Sequence, residues 1–182
     1  MAERHQESLW TGTSAGPPRI LVAAVISARR RLAEPIVRRG LAAGAAVLVL
    51  TADGEGPIGP PGAAHVDLLP EIQRVGVYRF LDHTWPREIN ISLGPNLHYR
   101  RWLWRRWART RYFSGLRPWV TWRALRRRLG QLDVAQIDHV VALSQEAFAL
   151  AWHLHRLNPD LTISNDIPDH LFERLGLPVP AA

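Results

Sequence analysis

The chain has 182 residues, enough for one domain with a real core, and its 47% apolar fraction is ordinary for a globular protein. It has no cysteine, which excludes disulfides, thiolate metal sites and cysteine nucleophiles and fits a reducing compartment. The net charge of +7 comes from 23 arginines and no lysine, set against 16 acids.

Residues 1–18 are polar, end in Gly16-Pro17-Pro18 and read as a flexible leader. Glu3 and Glu7 spoil a basic signal region, so the protein is expected to be soluble and cytoplasmic. Arg19–Ile26 is a continuous apolar run, as in a strand buried on both faces. Pro35 suits only the first turn of a helix, which predicts a helix from about Glu34 to Ala43 with Gly44 as its C-cap. Ala45–Thr51 is a second buried strand, completing a βαβ unit. The longest clean apolar run, Leu41–Leu50, has ten residues, against the ~20 needed to span a bilayer. Asp53–Gly62 is loop, and short strands are expected at Ala64–Leu69 and Val75–Leu81. Beyond the arm described next, Ile137–Leu143 reads as a strand and Ser144 as the N-cap of a helix over Gln145–Leu157. Apolar residues lie on both sides of that helix, which predicts that it is sandwiched. Leu161–Asn165 is a last strand, followed by a helical turn or two over Asp166–Leu175. Alternating strands and helices predict one Rossmann-like α/β domain over residues 19–182. Its buried parallel strands should include Ile20–Ile26, Val47–Thr51, Val140–Leu143 and Leu161–Ser164.

A helical arm over residues 97–130 carries the charge. Between Ile89 and Leu132 there are 11 arginines and no acid, while the rest has 12 arginines against 16 acids, a difference of −4. That asymmetry predicts an anionic partner. Five tryptophans are interleaved, and Pro118 and Gly130 fit the start and stop of the second helical piece. There Trp122, Leu125 and Leu129 share one face, and Arg123, Arg126 and Arg127 another. A basic amphipathic helix with aromatics suits an anionic membrane surface. The residues expected to meet it are Arg105, Arg106, Arg109, Trp119, Trp122, Arg123, Arg126 and Arg127. A packed hairpin with a solvated face ranks next, and nucleic acid, held by phosphate contacts and stacking, after it.

The strings Arg19–Val25 and Leu41–Thr51, and the later order of basic helical segment, strand, helix and strand, are similar to the N-terminal half of a GT-B glycosyltransferase. The resemblance covers roughly Pro18 to Val179. It implies an acceptor-side domain that works at a membrane- or lipid-linked acceptor and needs a donor-binding glycosyltransferase partner. It departs from the family at the first turn, Ser27-Ala-Arg-Arg-Arg31, which lacks the usual glycines. If the chain is an enzyme it is a transferase, peripheral at the inner face of the membrane; the other reading is a non-catalytic module using the arm on nucleic acid or another anion.

Ligands of open parallel sheets sit beyond the carboxyl ends of the strands. Those ends supply the candidate ligand-binding residues: Ser27 with Arg29, then Asp53, then Ser144, Gln145 and Glu146, then Asn165 and Asp166. Arginine forks suit phosphate, and helix starts offer free N–H groups. No catalytic residue is assigned, and no cofactor is expected. Asp82-His83 would need a turn to act as a base pair, His153 and His155 do not share a helix face, and His139 reads as a strand histidine, so no metal site is expected.

Overall fold

The computed structural model describes residues 16–25, 29–75 and 116–179. Among them, β1 (Arg19–Ala23), β2 (Ala46–Thr51), β3 (Ala64–Asp67), β4 (His139–Ala142) and β5 (Thr162–Ser164) form one sheet in the order β3-β2-β1-β4-β5. Every pairing is parallel; Ile20 lies opposite Val47 on one side and opposite His139 on the other. All residues of β1 and β4 are buried, because both faces of the sheet are covered.

The helices are α1 (Arg30–Ala42), α2 (Leu69–Gln73), α3 (Arg117–Arg126), α4 (Leu129–Leu132), α5 (Gln145–Leu157) and α6 (Asp169–Arg174). Ile20, Val22 and Ala24 pack against Ala33 and Val37 of α1 and Leu171 and Phe172 of α6. Leu21, Ala23 and Val25 point the other way, into a core shared with Ile72, Val120, Leu125, Leu150 and Leu154 from α2, α3 and α5. The chain steps from β1 to β2 with α1 on one face, and from β4 to β5 in the opposite direction with α5 on the other face. The two crossovers therefore have the same hand, as the right-handed rule for parallel units requires. This is the predicted Rossmann-like architecture.

Several boundaries differ from expectation. Helix α1 starts at Arg30 rather than near Glu34, with Pro35 inside it. Pro35 has no N–H to give the Arg31 carbonyl. Two gains offset that loss: Ala33 and Val37 become fully buried, and the Arg30 side chain ties the first turn to the loop after β2. At its other end, Gly44 adopts φ +89°, and the N–H groups of Gly44 and Ala45 reach the carbonyls of Leu41 and Gly40 at 2.9 and 3.0 Å. This double closure satisfies the last carbonyls and turns the chain into β2.

Strand β3 stops at Asp67, whose carboxylate accepts the Leu69 N–H at 2.9 Å and starts α2 there. Of the strand expected at Val75–Leu81, only Val75 is within the described residues, at a bend after α2. Of the arm, residues 116–130 are described. Gly130 does not stop its helix. Helix α3 ends at Arg126 as the Arg127 and Arg128 N–H groups tighten onto Ala124 and Leu125, and Gly130 lies within α4. The Arg128 side chain is drawn onto buried Glu71, which fixes that bend. Helix α5 has its predicted bounds, and the Ser144 hydroxyl accepts the Ala147 N–H at 3.2 Å. It is not sandwiched: Phe148, Trp152 and Leu157 are exposed, since only the stripe of Ala147, Leu150, Ala151 and Leu154 is needed to cover the sheet.

Candidate functional site

Strands β1 and β4 are neighbours whose connections leave toward opposite faces, which makes their carboxyl ends the switch point where ligands of open parallel sheets bind. Arg29 stands exposed at the start of α1 on one side, and Gln145 stands exposed at the start of α5 on the other. Ser144 is occupied as the cap of α5. Ser27 lies outside the described residues. Asn165 and Asp166 follow β5, away from the switch point in the strand order, and both are exposed. The Asp166 carboxylate accepts the Ile167 N–H at 2.7 Å, and its carbonyl accepts the Ser164 hydroxyl.

Two carboxylates at the carboxyl edge face an arginine. Asp53 Oδ1 lies 3.0 Å from Arg30 Nη1 and also accepts the Glu55 N–H. The other end of that guanidinium donates to the carbonyls of Gly56 and Pro57, each at 3.0 Å. Arg30 thus holds the loop after β2 against the first turn of α1. The second Asp53 oxygen is buried without a hydrogen-bond partner among the described residues. Glu146 is buried in the first turn of α5, with Arg117 Nη1 3.9 Å from its Oε1. That pair joins the start of α3 to the start of α5. Sequence reasoning missed Arg30 and Arg117 as the partners of its two acidic candidates. The triplet Arg29–Arg31 signals charge but not which member turns inward.

The outer side of α3 and α5 is a second cluster. Trp122 stacks on His153 with ring centres 4.4 Å apart and planes 10° from parallel, and Trp152 meets His153 edge-on at 4.9 Å. Burial, and then Arg156, lowers the His153 pKa. Arg123 lies over the Trp119 ring at 5.4 Å and Arg156 over Trp152 at 5.1 Å. Trp119, Phe148, Trp152 and Leu157 are 47%, 47%, 53% and 56% exposed, and Arg126 and Arg127 are exposed beside them. Arg105, Arg106 and Arg109 lie outside the described residues, as does Asp82-His83. Acids from elsewhere in the fold engage two of the arm's arginines, Arg117 and Arg128. The contribution of Phe148, Trp152 and Arg156 was legible only as their i, i+4 spacing.

His139, at the start of β4, is buried between two hydroxyls of β5, with Nδ1 2.6 Å from Thr162 Oγ1 and Nε2 2.7 Å from Ser164 Oγ. It therefore acts as a cross-strand tie, and burial pushes its pKa down to about 4. His65 on β3 lies 3.0 Å from the Thr51 hydroxyl and is likewise lowered by burial. Among the described residues no three metal-ligating side chains converge, and no helix is long and apolar enough to cross a membrane. Comparison with protein-family models, curated proteins and solved structures finds no match.

Proposed function

We propose that the chain is the acceptor-side half of a glycosyltransferase-like assembly, presenting a membrane- or lipid-linked acceptor to a donor-binding partner protein. The β1–β4 switch point is the acceptor site, with Arg29 and Gln145 at its rim. The observation that carries the need for a partner is the state of the carboxylates. Of the acids at that edge, Asp53 and Glu146 each face an arginine. Their side chains are only 8% and 6% exposed, so neither is presented to an acceptor hydroxyl as a general base must be. The donor and the group that activates the acceptor then come from the other half.

The test is purification of the chain with whatever it retains, followed by nucleotide-sugar consumption for the isolated chain and for the complex. The isolated chain should be inactive, and the complex should transfer sugar to an acceptor dispersed in detergent. Transfer by the isolated chain, abolished by Asp53→Ala or Glu146→Ala, would overturn the two-part reading. A retained partner that yields no transfer would overturn the glycosyltransferase reading itself.

A further inference from the structure

We infer that the outer face of α3 and α5 is a docking surface for an anionic lipid bilayer. The inference rests on the proposed membrane-linked acceptor and gives that membrane a specific point of contact. Its aromatic residues are continuous. Trp119 and Trp122 are neighbours on α3 at i, i+3, and Phe148 and Trp152 on α5 at i, i+4. His153, stacked on Trp122 and touching Trp152, bridges the two helices. A contiguous exposed apolar patch of this kind marks an interface, whereas scattered exposed residues do not.

Charge selects the occupant. Arg123, Arg126, Arg127 and Arg156 are exposed around the rings. The two helices contain a single acid, Glu146, and it is buried against Arg117. The exposed face of these helices therefore presents cations with no acid to repel an anionic surface. Indole rings favour the boundary between hydrocarbon and water, and a guanidinium over a ring keeps its charge at that boundary while sheltering the ring's face. Leu157 decides between a bilayer and nucleic acid. A leucine gains by entering acyl chains and has no ring on which a base could stack.

The test is co-sedimentation of the full chain with phosphatidylcholine vesicles and with mixed phosphatidylcholine–phosphatidylglycerol vesicles, at low and moderate salt. Two variants accompany it, Arg123→Gln with Arg156→Gln, and Trp119→Ser with Trp152→Ser. All four side chains are exposed, so the fold is retained, which urea unfolding checks. Wild type should bind the anionic vesicles and ignore the neutral ones. Each arginine removed should weaken low-salt binding about fivefold, so the arginine pair loses roughly thirtyfold. The tryptophan pair should lose the part of the binding that survives moderate salt, since ring insertion is not screened. Failure of wild type to bind anionic vesicles would overturn the inference. So would either variant binding as well as wild type, or preference for a single-stranded oligonucleotide with a steep loss in salt. Transfer to a detergent-dispersed acceptor requires no vesicle. Lost docking with intact transfer therefore sinks this surface alone, and intact docking without transfer sinks the transferase reading alone.

Discussion

His139 should make folding stability fall in mild acid. The folded-state pKa is about 4 against an ordinary 6.5. Between those values the unfolded chain binds more protons than the folded one, so stability rises with pH there and is lost as pH falls. Each unit of difference corresponds to about 1.4 kcal/mol. The loss from this residue is then about 1 kcal/mol at pH 5.5 and roughly 2–3 kcal/mol at pH 4.5. Burial is the main cause, and Arg174 and His170 add to it, while a hydrogen bond with the Asp166 backbone opposes it. The hydroxyls on either side also matter. Thr162 donates to the Asp138 carbonyl and Ser164 to that of Asp166. If both kept those bonds, both ring nitrogens would have to donate, and only imidazolium can do that. A neutral ring requires one hydroxyl, that of Ser164 or Thr162, to turn its proton toward the ring. The measurement is urea unfolding, followed by tryptophan fluorescence, of wild type and His139→Gln from neutral pH to pH 4.5. Glutamine keeps a donor and an acceptor but does not titrate, so the difference between the two proteins isolates His139 from the carboxylates. Wild type should lose stability relative to the variant as pH falls. The opposite slope would mean that the charged ring is the one the two hydroxyls hold, and would refute the reasoning.

Two further substitutions test the packing around the site. Glu71 is buried and accepts from Nε and Nη2 of Arg128, so Glu71→Gln should cost roughly 2 kcal/mol, less than breaking a fully buried pair because Arg128 is partly exposed. Replacing both Glu71 and Arg128 by leucine should recover much of that loss in the same unfolding assay. Gly59 has φ +89°, and a Cβ there would come 2.7 Å from Val37 Cγ1, so Gly59→Ala should destabilise by about 2 kcal/mol and lower the melting temperature. A neutral result would mean that the loop after β2 shifts freely over α1.

The sheet was legible because its strands are buried on both faces. Runs such as Ile20–Val25 and Val47–Leu50 carry no polar residue, and only covered parallel strands tolerate that. Ser144 and Gly44 were legible for a local reason, since each satisfies backbone groups within a few residues of itself. The start of α1 was not. Reading Pro35 as a first-turn residue uses local sterics alone, whereas the helix start is set by contacts with distant partners, the buried packing of Ala33 and Val37 and the grip of Arg30 on Asp53 and the carbonyls of Gly56 and Pro57. The same limit applies to the site. Asp53 and Glu146 sit at strand ends that sequence can locate, but their partners are 23 and 29 residues away in the chain, and pairing at that range comes from topology.

Helix α5 shows why the outer face was the hardest part to read. A helix apolar on two sides satisfies two different structures, one buried between layers and one covering a sheet with its back to an external partner. Hydrophobic pattern is identical in the two cases, so periodicity alone cannot separate them. What separates them here is area already supplied. Ala147, Leu150, Ala151 and Leu154 close the sheet with α3 beside them, and nothing in the described fold is left to cover Phe148 and Trp152. Arg156 over the Trp152 ring sets a cation on that exposed side. Against an anionic surface the same guanidinium is favourable. Helix α3 and the excess apolar side of α5, which look unrelated along the chain, are thus two edges of one surface.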